Sequence, residues 1–401
     1  MVTGRKIKNE GTLIDFLLRI ECITVFAIYL FTILEQDTVV SVCIALNFLI
    51  ITGMTAMSFF GRGETKIFFI WFFTIGLSLL SIFVTGYSIG FNYLKKWLMF
   101  ASTVNMFFWV SNSDITEQMI KDLKKTAVLI ALLFVLAYMM GKTGPSDSFQ
   151  GMLTFNFNNP NLTAISILPI CFYMVILASD YRTKLRSVLY LGLGIVLGWF
   201  VWKTTARACM LSMVAFFVLI LFCQKYSRAL TFVVVIFPFV FSILYMQLVD
   251  TEFMQWFEFL ESEGKSLTSR ERIWEYVFAI IEKNPIFGNY YIATGGSGLS
   301  NLHNIHLDTM ASYGIIVFAF TVWIMVAVLN KIGEGVKRWG IVEISAFYAV
   351  ILSGTFEAAL FSGSQGVYFL VGGFLMMVKH HKKQRMELQM AETDLKNEVA
   401  E

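Results

Sequence analysis

The chain has 401 residues, of which 57% are hydrophobic and only 15% are charged, and its net charge is +3 at pH 7. Soluble domains carry about a quarter charged residues, so the composition excludes an ordinary soluble fold. So small a net charge gives no indication of nucleic-acid binding. Apolar runs long enough to cross about 30 Å of hydrocarbon recur from end to end. Because lipid leaves open backbone groups without partners, the sequence predicts an all-α polytopic membrane protein.

These apolar runs predict about twelve membrane-spanning helices. A charged N-terminus, Met1 to Glu10, enters the first run without a small-residue cleavage site, so we expect an uncleaved first span. Residues 1–249 would hold spans one to nine and 306–378 the last three, and 379–401 would be a frayed cytoplasmic helix. The predicted spans are 13–34, 37–57, 67–85, 96–112, 126–141, 162–179, 187–203, 207–223, 229–249, 306–329, 341–361 and 366–378.

The distribution of basic residues predicts that both termini face the cytoplasm. Most lysines and arginines then fall in cytoplasmic loops, and most of the exceptions lie in or near residues 250–305. Those residues form the longest polar interval of the chain, and we expect them to be a large extracytoplasmic loop.

This loop carries a helical pattern of its own. Residues 268–271 have the spacing of a capping box, and Asn284-Pro285 followed by Gly288 marks the end of a helix. The pattern between them predicts a short amphipathic helix on the outer membrane surface. Its apolar face would consist of Ile273, Trp274, Val277, Ile280 and Ile281. The glycine-rich run 295–298 would be either a lid or a simple connector.

Two of the four histidines of the chain, His303 and His306, end the loop. Imidazole titrates near neutrality, so His303 is a candidate general base, although from position alone an interfacial histidine at a helix start is the simpler interpretation. The pair, with Asp308 nearby, is only a weak indication of a metal site because a well-placed third ligand is missing. The five cysteines lie inside apolar runs without CxxC spacing, so we predict that they are packing residues.

Cations on the predicted outer side are candidates for binding phosphate. A guanidinium group stays charged and matches phosphate with a planar fork. Arg207 and Lys203 are four residues apart, so we expect them to share a helix face. Each cation alone would also fit a side chain that reaches the lipid headgroups. Next to a histidine, the set favours a pyrophosphate site: Arg207, Lys203, Arg270 and Arg272.

The remaining polar candidates are weaker. Asn159 followed by Pro160 is good chemistry for a helix start, and with Asn161 it would bind an anionic or sugar group or serve only as a cap. Glu357 is a carboxylate in a predicted span, where it is costly unless it faces a cavity or a partner. It would contact sugar hydroxyls or form a structural ion pair. The weaker substrate-binding set is Asn159, Asn161, Asn304, His306 and Glu357.

Three patches together resemble the O-antigen polymerase and O-antigen ligase family of bacterial membrane glycosyltransferases. His303-Asn304, nine residues, Gly314, two residues and Val317 is similar to the family pattern His-Asn-x9-Gly-x2-(Gly/Thr/Val). Asn159-Pro160-Asn161 and Thr205-Ala206-Arg207 resemble two earlier landmarks of the family.

The predicted loop also resembles a family signature, an Arg–Trp pair followed by Asn/His-Pro-Leu-x-Gly. The matching residues are Arg270, Trp274 and 284–288. The chain departs from the signature at Ser269, where glycine is common, and at Asn289-Tyr290, where Gly-x-Gly is usual.

The resemblance implies a GT-C-type fold and a metal-independent, inverting glycosyl transfer without a cofactor. His303 would deprotonate or orient the acceptor hydroxyl, and Arg270 and Arg207 would hold the pyrophosphate. The implied donor and acceptor are undecaprenyl-pyrophosphate-linked oligosaccharides at the outer face of the bacterial plasma (inner) membrane. The bilayer, a chain-length regulator and a flippase are the implied partners, and nucleic acid is not among them.

Within the family we favour a polymerase of O-antigen or capsular polysaccharide, with a ligase that transfers finished glycan to a lipid, protein or wall acceptor as the alternative. A membrane transporter is a second alternative, because many spans with the intramembrane carboxylate Glu357 also fit one. Transporters usually carry broken helices at corresponding positions of two halves, and no matching half is visible in this sequence.

Overall fold

The computed structural model describes residues 2–60, 65–85, 91–144, 151–157, 159–180, 183–248, 268–290, 302–357, 360 and 366–400. Over these ranges the chain is helical, and no β-strand is formed. The helices are α1 (Val2–Ile33), α2 (Asp37–Phe60), α3 (Thr65–Val84), α4 (Phe91–Asn112), α5 (Glu117–Met139), α6 (Pro160–Asp180), α7 (Lys184–Lys203), α8 (Arg207–Phe222), α9 (Arg228–Leu248), α10 (Thr268–Lys283), α11 (Ile305–Tyr313), α12 (Ile315–Gly333), α13 (Ile341–Ser353) and α14 (Val367–Ala400).

Six helices in these ranges are long and apolar enough to cross a membrane, which confirms an α-helical membrane protein. Two shorter helices, Phe68–Val84 and Arg207–Phe222, are also apolar. The prediction of about twelve spans stays a prediction. The six candidate spans are Leu13–Ile33, Asp37–Phe59, Pro160–Asp180, Lys184–Lys203, Arg228–Leu248 and Ile315–Gly333.

Burial separates the central helices from the peripheral ones. In α6, 78% of the most apolar stretch is buried against other helices, whereas in α7 the figure is 22%. Helix α7 packs along α6 and leaves Leu185, Val188 and Ile195 exposed. So large an apolar surface is stable only in a lipid environment or against a partner, so α7 lies at the periphery of the bundle.

Helix α14 is tied to the C-terminal end of α4 by one lysine. The ammonium group of Lys379 donates to the carbonyl oxygens of Val110, Ser111 and Ser113, at 2.8, 3.0 and 2.6 Å. The last carbonyls of a helix lack intrahelical partners and carry partial negative charge, so a cation stabilises them. Near this end of the bundle, His381 lies 3.2 Å from the carboxylate of Glu343, which raises the pKa of the imidazole.

The predicted span 306–329 is wrong as a single helix. The structure divides this stretch at Gly314, which has a φ of +86°, into α11 and α12. At this break, the amide of Ile315 donates a hydrogen bond to the carbonyl oxygen of Pro285 at 2.8 Å. Residues 306–313 are of mixed polarity and the apolar run begins only after Gly314, but an isolated glycine does not by itself require a helix to end.

The predicted short helix in the loop is present as α10, which begins at Thr268 and ends before Asn284. Its apolar face does not lie against lipid, however. Trp274, Val277 and Ile280 are buried in a cluster with residues of α9, α11 and α12. An amphipathic pattern records only that one face is buried, and here the covering surface is protein.

Candidate active site

Four segments meet at the end of the bundle where α8 begins. They are the start of α6, the start of α8, residues 302–304 before α11, and the chain after α13 that carries Glu357. Two hydrogen bonds join the last two segments: the amide of Ile305 donates to Gly354 O at 2.8 Å, and Asn304 Nδ2 donates to Thr355 O at 3.2 Å. These bonds bring His303 beside Glu357.

The cluster of Asn161, His303 and Glu357 is the centre of the candidate site. His303 Nδ1 lies 3.1 Å from Glu357 Oε1, and Asn161 Nδ2 donates to the same oxygen at 2.6 Å. The glutamate side chain is only 2% exposed, whereas that of His303 is 20% exposed. A buried carboxylate with two polar neighbours therefore holds an imidazole that reaches the surface of the site. We call these residues the His303 cluster.

The backbone at His303 has a φ of +51°, in the left-handed region. Residues other than glycine rarely adopt this conformation, which costs about 1–3 kcal/mol and persists where surrounding contacts impose it. The next residue supplies those contacts. Asn304 caps α11, because its Oδ1 accepts from the amides of His306 and Leu307 at 2.9 and 3.0 Å.

His306 and Asn304 both bind the backbone of α9 near Pro238, a proline inside that helix. His306 Nε2 is 2.6 Å from Val235 O, and Asn304 Nδ2 donates to Pro238 O at 2.7 Å. Both side chains are fully buried. The geometry gives both residues a role in anchoring α11, and their predicted part in substrate binding stays a prediction.

Asp308 pairs with a lysine of α4. Lys96 Nζ lies 2.7 Å from Asp308 Oδ1, with side-chain exposures of 11% and 2%. The ion pair holds α11 against α4, and the His306 ring binds the backbone of α9. Neither Asp308 nor His306 is therefore directed at a ligand that His303 could also bind. Within the described ranges, no group of three His, Cys, Asp or Glu side chains is arranged to hold a metal ion.

We expect Lys96→Met to lower the free energy of unfolding by about 3–5 kcal/mol, because it leaves the Asp308 carboxylate buried without its counter-ion. The double variant Lys96→Met/Asp308→Leu should recover most of this loss, since it removes both charges. Thermal unfolding in detergent measures both. A single variant as stable as the wild type would mean that the pair contributes nothing.

Arg207 is the first residue of α8 and is exposed. Two residues further along the same helix, Cys209 is close enough to Glu357 for an electrostatic interaction, so Arg207 begins its helix near the His303 cluster. The expectation that Arg207 and Lys203 share a helix face is wrong. Helix α7 ends at Lys203, and the turn to α8 passes through Thr205, which has a φ of +58°.

Lys203 lies with its ammonium group 5.6 Å from the ring centroid of Trp199. Its carbonyl accepts from the amide of Leu153 at 3.2 Å, which fixes the end of α7 against the segment before α6. Asn159 behaves as predicted for a cap, because its Oδ1 accepts from the amide of Asn161 at 2.8 Å and α6 begins at Pro160.

Arg270 and Arg272 lie in the first turns of α10, and their side chains, like the run 295–298, are outside the described residues. The helix that carries them is tied to the histidine segment. Trp274 Nε1 donates to Leu302 O at 3.2 Å, and the Trp274 ring packs edge-on against Tyr245. The helix that carries the two predicted arginines is therefore hydrogen-bonded to the segment that carries His303.

A second link connects the turn after α10 with the break between α11 and α12. The amide of Asn289 donates to Ala311 O at 2.6 Å, in addition to the bond from Ile315 to Pro285. Two glycines allow this approach, because a Cβ atom on Gly288 would lie 2.6 Å from Ala311 O and one on Gly314 would overlap the carbonyl of Ile286. The turn after α10 and the break between α11 and α12 are therefore in close backbone contact.

The sequence identified His303, Asn161 and Glu357 separately but missed the contacts among them. The only signal for Glu357 was the cost of a carboxylate among apolar residues. The pairing of Lys96 with Asp308 was also missed. Comparison with known proteins adds no relative, since neither a protein-family model nor a curated protein matches the chain.

Proposed function

We propose that the chain is a bacterial membrane glycosyltransferase of the O-antigen polymerase and ligase type. It would move a growing glycan from undecaprenyl pyrophosphate to a hydroxyl group of a lipid-linked repeat unit at the outer face of the plasma membrane. This proposal includes about twelve membrane spans, a GT-C arrangement and an orientation with both termini in the cytoplasm.

The observation that carries the proposal is the His303 cluster. Its members come from the start of α6, the segment before α11 and the segment after α13. The Nδ1 atom of His303 lies 3.1 Å from Oε1 of the buried Glu357 carboxylate. A base that is oriented by a third group is the arrangement used to activate a hydroxyl nucleophile. A helix that begins with an arginine lies near the same end of the bundle, which is suited to an anionic leaving group.

In the proposed reaction, His303 takes the proton of the acceptor hydroxyl as its oxygen attacks the anomeric carbon of the donor. Arg207, Arg270, Arg272 and Lys203 are the proposed pyrophosphate-binding cations. They stabilise the charge that develops on the leaving group, which is the largest contribution that a fixed site makes to such a step. The chemistry needs no cofactor because pyrophosphate leaves readily once its charge is neutralised.

The decisive experiment uses purified protein in detergent with a lipid-linked repeat unit as the sole substrate. Regularly spaced products on a gel would support a polymerase. A single new product that forms only when a lipid, peptide or wall acceptor is added would support the ligase alternative. Unchanged substrate under both conditions would contradict glycosyl transfer.

We expect Arg270→Lys to be nearly as harmful as Arg270→Ala, with both raising KM for the lipid-linked donor. A lysine keeps the charge but loses the planar two-point fork that binds phosphate. Initial rates over a range of donor concentrations measure this effect. Lys283→Ala, at the opposite end of α10 and exposed, is the matched control and should leave KM unchanged. Wild-type kinetics in Arg270→Lys would mean that only the charge of this arginine matters, and not its planar fork.

A further inference from the structure

The geometry points to Glu357 as the positioning residue that fixes the tautomer of His303, so that Nε2 rather than Nδ1 accepts the proton of the acceptor hydroxyl. This inference deepens the proposed function and rests on it for the reaction, but the tautomer itself is a property of the free protein.

The first step of the argument is the direction of the hydrogen bond between the two side chains. Glu357 Oε1 accepts from Asn161 Nδ2 at 2.6 Å, so this oxygen already acts as an acceptor. His303 Nδ1 lies 3.1 Å from the same atom. Two acceptors do not attract each other, so Nδ1 must carry the hydrogen. In a neutral imidazole the lone pair then belongs to Nε2.

The second step is that the pair has little freedom to rearrange. The Glu357 side chain is 2% exposed and is held by the Asn161 amide. The backbone of His303 is held with a φ of +51° between Leu302, which accepts from Trp274, and Asn304, which caps α11. An imidazole whose ring and partner are both fixed presents one nitrogen to the site in one direction.

The third step is the role of the carboxylate during the reaction. The acceptor O–H bond breaks and its proton passes to His303 Nε2, while the oxygen forms a bond to the anomeric carbon. The bond from that carbon to the pyrophosphate oxygen breaks, and its electron pair leaves with polyprenyl pyrophosphate. His303 is now an imidazolium, and the Glu357 carboxylate stabilises its positive charge until the proton passes to water.

Nitrogen-15 NMR of histidine-labelled protein tests the tautomer without any substrate. The chain has only four histidines, so the His303 signals are identified by their disappearance in His303→Asn. We expect the wild type to show a protonated Nδ1 and an unprotonated Nε2 at His303, and Glu357→Ala to show a mixture of tautomers. A wild-type His303 that carries its hydrogen on Nε2 would overturn the inference.

Kinetics of Glu357→Gln test the role in the reaction. We expect kcat to fall on the order of 10²-fold, with little change in KM for donor or acceptor, because the residue touches His303 rather than substrate. The chain supplies a matched control: Glu343 is also a buried carboxylate, 3.2 Å from the Nδ1 of His381, at the other end of α13.

Glu343→Gln should therefore leave kcat near the wild-type value. An equal fall in both variants, or a wild-type kcat in Glu357→Gln, would contradict a positioning role. If the wild-type protein shows no glycosyl transfer at all, the proposed function fails, while the NMR measurement still decides whether Glu357 fixes the tautomer.

Discussion

Replacement of His303 by asparagine is expected to lower the rate of glycan transfer by about 10²- to 10⁴-fold, which is the usual contribution of a general base. Asparagine is the informative choice because it tolerates a positive φ better than alanine does. The variant therefore keeps the left-handed backbone at φ +51° and removes the imidazole. Transfer to a lipid-linked repeat unit, followed as initial rates, measures the effect.

The control for His303→Asn is His380→Asn. This histidine lies beyond the predicted end of the last span, in the part of α14 where Lys379 caps α4, far along the chain from the His303 cluster. It should transfer glycan at the wild-type rate. If His303→Asn retains a rate within a few-fold of the wild type, His303 is not the base, and the proposed mechanism is wrong.

Substitution of Gly314 by alanine is expected to lower the free energy of unfolding by about 2–5 kcal/mol. Two costs add. A side chain at φ +86° is strained, and its Cβ atom would overlap the carbonyl of Ile286 in the turn after α10. Because that turn and residues 311–315 are hydrogen-bonded, their separation should also reduce transfer activity.

Gly335→Ala separates these two costs. Gly335 has a φ of +82°, nearly the same as Gly314, but nothing lies within 4 Å of the position that its Cβ atom would occupy. We expect this control to lose only about 1–2 kcal/mol, from backbone strain alone. Thermal unfolding of both variants in detergent makes the comparison. Equal losses would show that the contact between the turn and the helix break does not contribute to stability.

Local chemistry accounts for what the sequence predicted well. The helix starts at Pro160 and Thr268 follow from proline and capping patterns that act over one turn. The membrane class follows from composition, because the length of an apolar run is a direct physical requirement. In the same way, Asn284-Pro285 predicted the end of α10 because proline cannot continue the helical hydrogen-bond ladder.

The predictions that failed depend on contacts between distant parts of the chain. The break at Gly314 occurs because another segment occupies the space beside it, which no local pattern records. Lys203 and Arg207 do not share a helix face, because the backbone between them makes a left-handed turn at Thr205. His303 and Glu357 were each identified, but their separation of 54 residues meant that only the folded chain revealed the contact.

The interlocked glycines have a consequence for building hybrid proteins. The turn 285–289 and the segment 311–315 share two backbone hydrogen bonds and a contact that no side chain can enter. A loop transplanted from a different protein would have to bring both segments together with α10, because either one alone would meet a surface that it does not fit. The unit of exchange in such chimeras is therefore residues 268–315, and under the proposed function any acceptor specificity that this region carries would be inherited as one piece.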